Sequence, residues 1–89
     1  MAKLHFTANI QRHVECPSAD VRGDDVRAVL EHFFENNPLA RSYILDDQAS
    51  VRKHITIFVD GQAIRDRLRL SDRVTSTSTI YVFQALSGG

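Results

Sequence analysis

The chain closes on Ile80-Tyr81-Val82-Phe83-Gln84-Ala85-Leu86-Ser87-Gly88-Gly89, and the reading of this stretch decides how the rest is organised. The β-branched and aromatic run from Ile80 to Phe83 predicts a strand. Gln84 to Ser87 carries the chain off the body, and two glycines end it at a carboxylate. A core strand feeding straight into Gly-Gly has two readings. One is a frayed end or an expression remnant. The other is a chemical handle: without a Cβ, glycine can thread a narrow channel and present its carbonyl carbon to a nucleophile.

Working outward, 89 residues suit one domain with one core. A chain of this size buries only about 60–65% of its unfolded surface, which leaves little room for a deep substrate pocket. The 11 Lys and Arg balance 11 Asp and Glu. That gives no cationic field for a phosphate backbone, so nucleic acid is not an expected partner. No apolar run is long enough to span a membrane and no leader precedes the fold, so neither a membrane nor secretion is expected. Cys16 is the single cysteine, which rules out an internal disulfide and fits a reducing cytoplasm.

Upstream, Leu4, Phe6, Ala8 and Ile10 alternate with polar residues and predict a half-buried strand. A turn at Asn9 to Gln11 and a second alternation over Arg12 to Cys16 predict a hairpin, broken at Pro17. Gly23-Asp24-Asp25 opens a helix expected over 24–37, with an Asp as N-cap. Val26, Val29, Leu30, Phe33 and Phe34 form its apolar stripe, and Asn36-Asn37-Pro38 stops it. Leu39 to Leu45 reads as a helical turn and then a short strand through Tyr43, Ile44 and Leu45. Asp46-Asp47-Gln48 is a turn. Val51, Ile55, Ile57 and Val59 predict a strong strand ending in the hairpin dipeptide Asp60-Gly61. Ile64 to Leu70 is an irregular or 3₁₀ connection, and Ser71 to Ser78 a polar loop. The order strand, strand, helix, strand, strand predicts an α+β domain whose one main helix covers one face of a sheet. The last strand needs partners on both sides.

No catalytic constellation emerges, so the chain is not read as an enzyme. His5, His13, His32 and His54 match no helical i, i+4 pair and no zinc-finger spacing, and read as solvated histidines. Cys16 has only His13 as a basic neighbour, and a buried structural thiol is the better reading. Strand parity is more informative. With Ile55, Ile57, Val59, Ile80 and Val82 inward, Phe58, Tyr81 and Phe83 point outward and form an exposed patch of the kind that marks a partner site.

The segment His54-Ile-Thr-Ile-Phe-Val-Asp-Gly61, the pair Ile64-Arg65 and the ending Ala85-Leu-Ser-Gly-Gly89 resemble the MoaD/ThiS family of ubiquitin-like sulfur carriers. Phe6 in the first strand and the single helix ending at Asn37-Pro38 extend that resemblance over nearly the whole chain. The sequence departs from the family's pattern at two places. Thr75 to Thr79 stands where an acidic, Gly-containing turn is usual, and Gln84-Ala85 stands where Pro commonly precedes the tail.

The resemblance implies a β-grasp fold: a mixed four- to five-stranded sheet with one main helix across it. The domain would span 1–86, followed by a mobile tail over 87–89 that is disordered beyond about Leu86. It implies no bound cofactor. A ThiF/MoeB-like activating enzyme, using ATP and Mg²⁺, would adenylate the Gly89 carboxylate, with Gly88 in the enzyme's channel. A sulfur donor would then leave a thiocarboxylate there, and a synthase would accept the sulfur for molybdopterin, thiamine, cysteine or a related metabolite. Phe58, Tyr81, Phe83 and Leu86 would meet the partner, with Phe83 matching the family's aromatic six residues before the end. Two other readings stand beside it: a protein modifier joined to lysine through Gly89, and a β-grasp interaction module with incidental glycines.

Overall fold

The computed structural model describes residues 1–84. The expected tail over 87–89, and with it Leu86, Gly88 and Gly89, lies outside the described residues. The elements run β1 (Ala2–Phe6), α1 (Ala8–Gln11), β2 (Ala19–Val21), α2 (Val26–Asn36), α3 (Pro38–Ile44), β3 (Ile55–Val59), β4 (Gln62–Ala63) and β5 (Thr79–Gln84). Five strands form one mixed sheet in the order β2-β1-β5-β3-β4. The closing strand is thus the central one. β5 pairs parallel with β1, where Leu4 faces Ile80 and Phe6 faces Val82. It pairs antiparallel with β3, where Ile57 faces Val82 and Phe58 faces Tyr81.

α2 lies across the inner face. Its stripe of Val26, Val29, Leu30, Phe33 and Phe34 is buried as expected. Phe33 packs its ring 5.0 Å from that of Phe6. Leu4, Ile55, Ile57, Ile80 and Val82 complete the sheet's share of this core at 0% exposure. The helix start is fully hydrogen-bonded. Val26 N–H donates to the Asp72 carbonyl (3.0 Å), Arg27 N–H to Leu70 (2.9 Å) and Val29 N–H to Asp25 (3.1 Å). Ala28 N–H donates to the Asp25 carboxylate at 2.7 Å. Val26, Arg27 and Ala28 carry amides that a helix leaves unpaired at its start, and the Val29 bond is the first of the helix's own.

Several elements differ from the sequence expectations. The first strand ends at Phe6, and Asn9 to Gln11 belong to α1 rather than to a turn. Phe6 and Ile10 are four residues apart, a spacing that puts both inward in a strand or in a helical turn, so alternation alone does not separate the two. Arg12 to Cys16 forms no strand, although Cys16 is buried and Val14 partly so. The antiparallel partner of β1 is β2, beyond Pro17, with Ala2 opposite Val21 and Leu4 opposite Ala19. α2 runs from 26 to 36, shorter than the expected 24–37, because Asp25 is its cap. After the Asn37-Pro38 break a second helix, α3, takes in Tyr43 and Ile44, leaving only a single bridge between Leu45 and Val51 where a short strand was expected. Proline at the first helical turn loses no hydrogen bond, so it starts this helix as naturally as it ends the last. β4 was not expected at all. Two residues carry no periodicity, and it follows only from the Asp60-Gly61 turn, whose φ angles of 51° and 88° suit a tight hairpin.

Candidate functional site

β5 alternates strictly from Thr79 on. Ile80 and Val82 are sealed in the core, whereas Tyr81 and Phe83 stand 41% and 45% exposed. The ladder fixes their neighbours. Phe58 lies directly across from Tyr81 on β3, and His5 directly across from it on β1. Tyr81 and Phe83 share a face two residues apart, with ring centroids 6.3 Å apart. Phe58 meets Phe83 edge-on at 6.3 Å and 76°. His5 sits 6.1 Å from Tyr81.

Phe58, Tyr81 and Phe83 therefore come together as one outward aromatic group on the two middle strands of this side. His5 joins it, and the sequence reading treated His5 only as a solvated residue. The signal was there in part: His5 shares parity with Lys3 on the outward side of β1. What the sequence did not carry was the parallel pairing of β1 with β5 that brings it against Tyr81. His5 Nδ1 is also hydrogen-bonded with Ser18 Oγ at 3.0 Å, so the ring is held upright beside the patch.

The patch reaches the last described residues of β5. Gln84, the last residue of β5, lies opposite Ile55, and its side-chain carbonyl accepts from the Tyr43 hydroxyl at 2.8 Å. Leu86, Gly88 and Gly89 lie outside the described residues, so their relation to the patch is given by sequence alone: they follow Gln84 directly.

Cys16 offers no reactive thiol. It is buried, its S–H points to the Val14 carbonyl at 3.5 Å, and burial pushes its pKa up from 9.0 to about 11. Among the described residues, no group of three or more His, Cys, Asp or Glu side chains is placed to hold a metal ion, and no helix is long and apolar enough to cross a membrane.

No protein-family model matches the sequence, and no curated protein matches it. Solved structures do. The small archaeal modifier protein 1 of Methanosarcina acetivorans is similar at 23% identity and a TM-score of 0.79, over 99% of this chain and 95% of that one. A chain of the BexX/CysO complex of Amycolatopsis orientalis is similar at 14% identity and a TM-score of 0.84, with all of both chains covered. CysO of Mycobacterium tuberculosis is similar at 15% identity and a TM-score of 0.81, over 97% of this chain and 100% of that one. The central closing strand, the mixed five-stranded sheet and the helix across its inner face are the shared architecture, and the chain has the ubiquitin-like β-grasp fold that its MoaD/ThiS-like motifs led one to expect.

Proposed function

We propose that the chain is a carrier whose end is activated by a partner, with the outer aromatic face of β5 as the docking surface. The observation that carries this reading is the coupling of two features on one strand. Tyr81 and Phe83 are bare on the sheet's outer side, and the residues that follow Phe83 run within six positions to Gly88-Gly89. Docking of the face would therefore place the glycines near the partner's reaction centre. The likeness in fold to CysO and to the small archaeal modifier proteins supports the same reading.

The chemistry follows from the terminal group. A carboxylate is a poor electrophile. Attack of a Gly89 carboxylate oxygen on the α-phosphate of ATP, with loss of pyrophosphate, gives an acyl-adenylate that is a good one. Sulfide released by a donor then attacks the acyl carbon, its C–S bond replacing the C–O bond to the departing AMP, and leaves a thiocarboxylate, a soft anion able to pass sulfur to an accepting synthase. ATP and Mg²⁺ belong to the ThiF/MoeB-like activating enzyme, and the BexX/CysO complex supports the reading that a chain of this fold is met by a protein partner. Gly88 suits a narrow channel because a side chain there would clash and restrict φ. The name of the archaeal neighbour favours a second reading: the same activated Gly89 passed to a lysine amine as a protein modifier.

The test is ATP–pyrophosphate exchange by the activating enzyme with the intact chain and with a form lacking Gly89. Exchange should require Gly89 while the melting curve stays the same. Equal exchange by both forms would remove the carrier reading. Intact mass after incubation with the sulfur donor then separates a thiocarboxylate from lysine conjugates.

A further inference from the structure

The chain has zero formal charge, and at the end where β5 begins the two signs are mixed. Asp60 accepts from the Thr79 N–H at 2.9 Å, and Asp20 lies opposite Lys3 near the start of β1, which runs parallel to β5. Asp60 shares a shallow cleft with Arg65, Asp72 and Arg73, and Asp24 and Asp25 share another with Arg22 and Arg73.

The Gln84 end of β5 is built differently. Tyr43, bonded to Gln84, is stacked by the His13 ring at 5.6 Å and 17°, and met edge-on by the His54 ring at 5.9 Å and 87°. Two segments distant in sequence thus converge on the root of the tail, and each brings a cation beside its histidine. Arg12, His13, Lys53 and His54 are all exposed. Among the described residues the ion pairs both go to Glu31, so neither Arg12 nor Lys53 is paired. Glu15 is the one carboxylate close in sequence. Arg52 is set apart, because it shares a shallow cleft with Asp46 and Asp47.

We propose that Arg12, His13, Lys53 and His54 form a basic collar at the exit of β5 that receives an acidic surface of the activating partner around the mouth of its channel. This rests on the carrier reading above and adds the partner's chemistry to it. The aromatic face supplies contact area. The collar supplies orientation, because exposed cations grouped beside Gln84 favour an approach that brings this end of β5 to an acidic partner first. A nucleic acid is the poorer fit, since a few cations grouped at one end make no track along a phosphate backbone.

The experiment measures binding of the full chain to the activating enzyme at low and high salt, alongside ATP–pyrophosphate exchange. The variants are the double charge reversal Arg12→Glu with Lys53→Glu, and separately His13→Gln with His54→Gln, each checked by melting. The charge reversal should raise Kd by about tenfold or more at about 50 mM salt and by far less at about 500 mM, with kcat for exchange unchanged. The histidine pair should show the same pattern in smaller measure. A Kd within about twofold of the parent, or an effect indifferent to salt, would overturn the collar while Gly89-dependent exchange leaves the carrier reading standing. Collar-dependent binding without exchange would do the reverse. No binding by the parent chain would overturn both, and tight binding of a DNA oligonucleotide lost in the same variants would overturn the choice of a protein partner.

Discussion

Val82 and Phe83 are neighbours on one strand, both apolar, and they belong to different parts of the molecule's work. Val82 faces α2 and is sealed at 0% exposure, whereas Phe83 faces outward and is 45% exposed. On the inner side every apolar group of the sheet finds a cover. On the outer side of a sheet packed on one face, polar residues would serve the fold as well or better. Aromatic side chains are the costliest to leave in water, because their apolar area is large. The fold explains the inner face completely and the outer face not at all. That difference is what supports the proposal that the outer face meets a partner.

The sharpest way to break this comparison is to put the same charge on each side. Val82→Asp would bury a carboxylate between Phe6, Ile57 and the helix, with no cation beside it. Burial of an unpaired charge belongs to the short class of changes that cost more than about 4 kcal/mol. A domain this small should then be unfolded at room temperature, seen as loss of cooperative melting. A folded Val82→Asp variant would mean that the strand parity is reversed. Next in size is Phe33→Ala, which removes the ring set against Phe6 and Phe34 at the centre of the inner face. It should cost about 3–5 kcal/mol in urea unfolding with an unchanged slope, and a loss below about 1 kcal/mol would displace Phe33 from that role.

The inner face was largely legible in the sequence, because it is written in periods. The stripe of α2, the alternation of β3 and β5 and the Asp60-Gly61 turn each have a local signature. The outer face was legible by subtraction, as the odd positions of the same strands. What could not be read are features made by distant pairing. His5 reaches Tyr81 only through the parallel β1–β5 ladder. Tyr43, at an unremarkable position in a segment expected to turn into strand, reaches Gln84 only because α3 carries it to the end of β5. The irregular stretch from Ile64 to Val74 is held by side chains that bond backbone far away. The Arg67 guanidinium donates to the carbonyls of Arg52 at 2.7 Å and Ile55 at 2.6 Å, and that of Arg27 to the Arg69 carbonyl at 3.0 Å. No period announces such bonds.

That stretch also closes the rim of the inner face, placing buried Leu70 and Val74 beside the start of α2. Its turn is organised by Asp66, whose carboxylate accepts from the Ser71 hydroxyl and from the backbone N–H groups of Leu68, Arg69 and Ser71. The Ser71 hydroxyl first, then the Arg69 N–H, hold its pKa down from 3.8 to about 2. A depressed carboxylate pKa stabilises the fold above the ordinary value, and this contribution is lost as pH falls toward the folded one. Stability should therefore fall as the pH is lowered from 3.8 toward about 2, and Asp66→Asn should flatten that part of the curve. Identical curves for variant and parent would detach the rim from this carboxylate. Because the group is exposed, the effect should be well below that of either core change.

The smallest expected change in stability is the most telling for function. Phe83→Asp puts a carboxylate one residue from the site of the first prediction, but on the outer side. Its loss is the edge-on contact with Phe58 and the neighbouring ring of Tyr81. Cross-strand and same-face contacts of this kind are worth about 0.2–1 kcal/mol each, so the melting midpoint should move little and circular dichroism not at all. Capture by the activating enzyme should weaken by tenfold or more, since a buried aromatic anchor at an interface is worth about 2 kcal/mol or more. The charge also works against the proposed complex twice over: it removes the anchor and sets a carboxylate against an acidic partner. Phe83→Leu separates the two effects, because it keeps the apolar contact without the ring and without the charge, and should fall between parent and Asp variant. A Phe83→Asp chain that unfolds would show that the outer ring belongs to the fold after all. One that folds and is captured normally would show that the partner reads another face, and the bare aromatics of β5 would need a different cause.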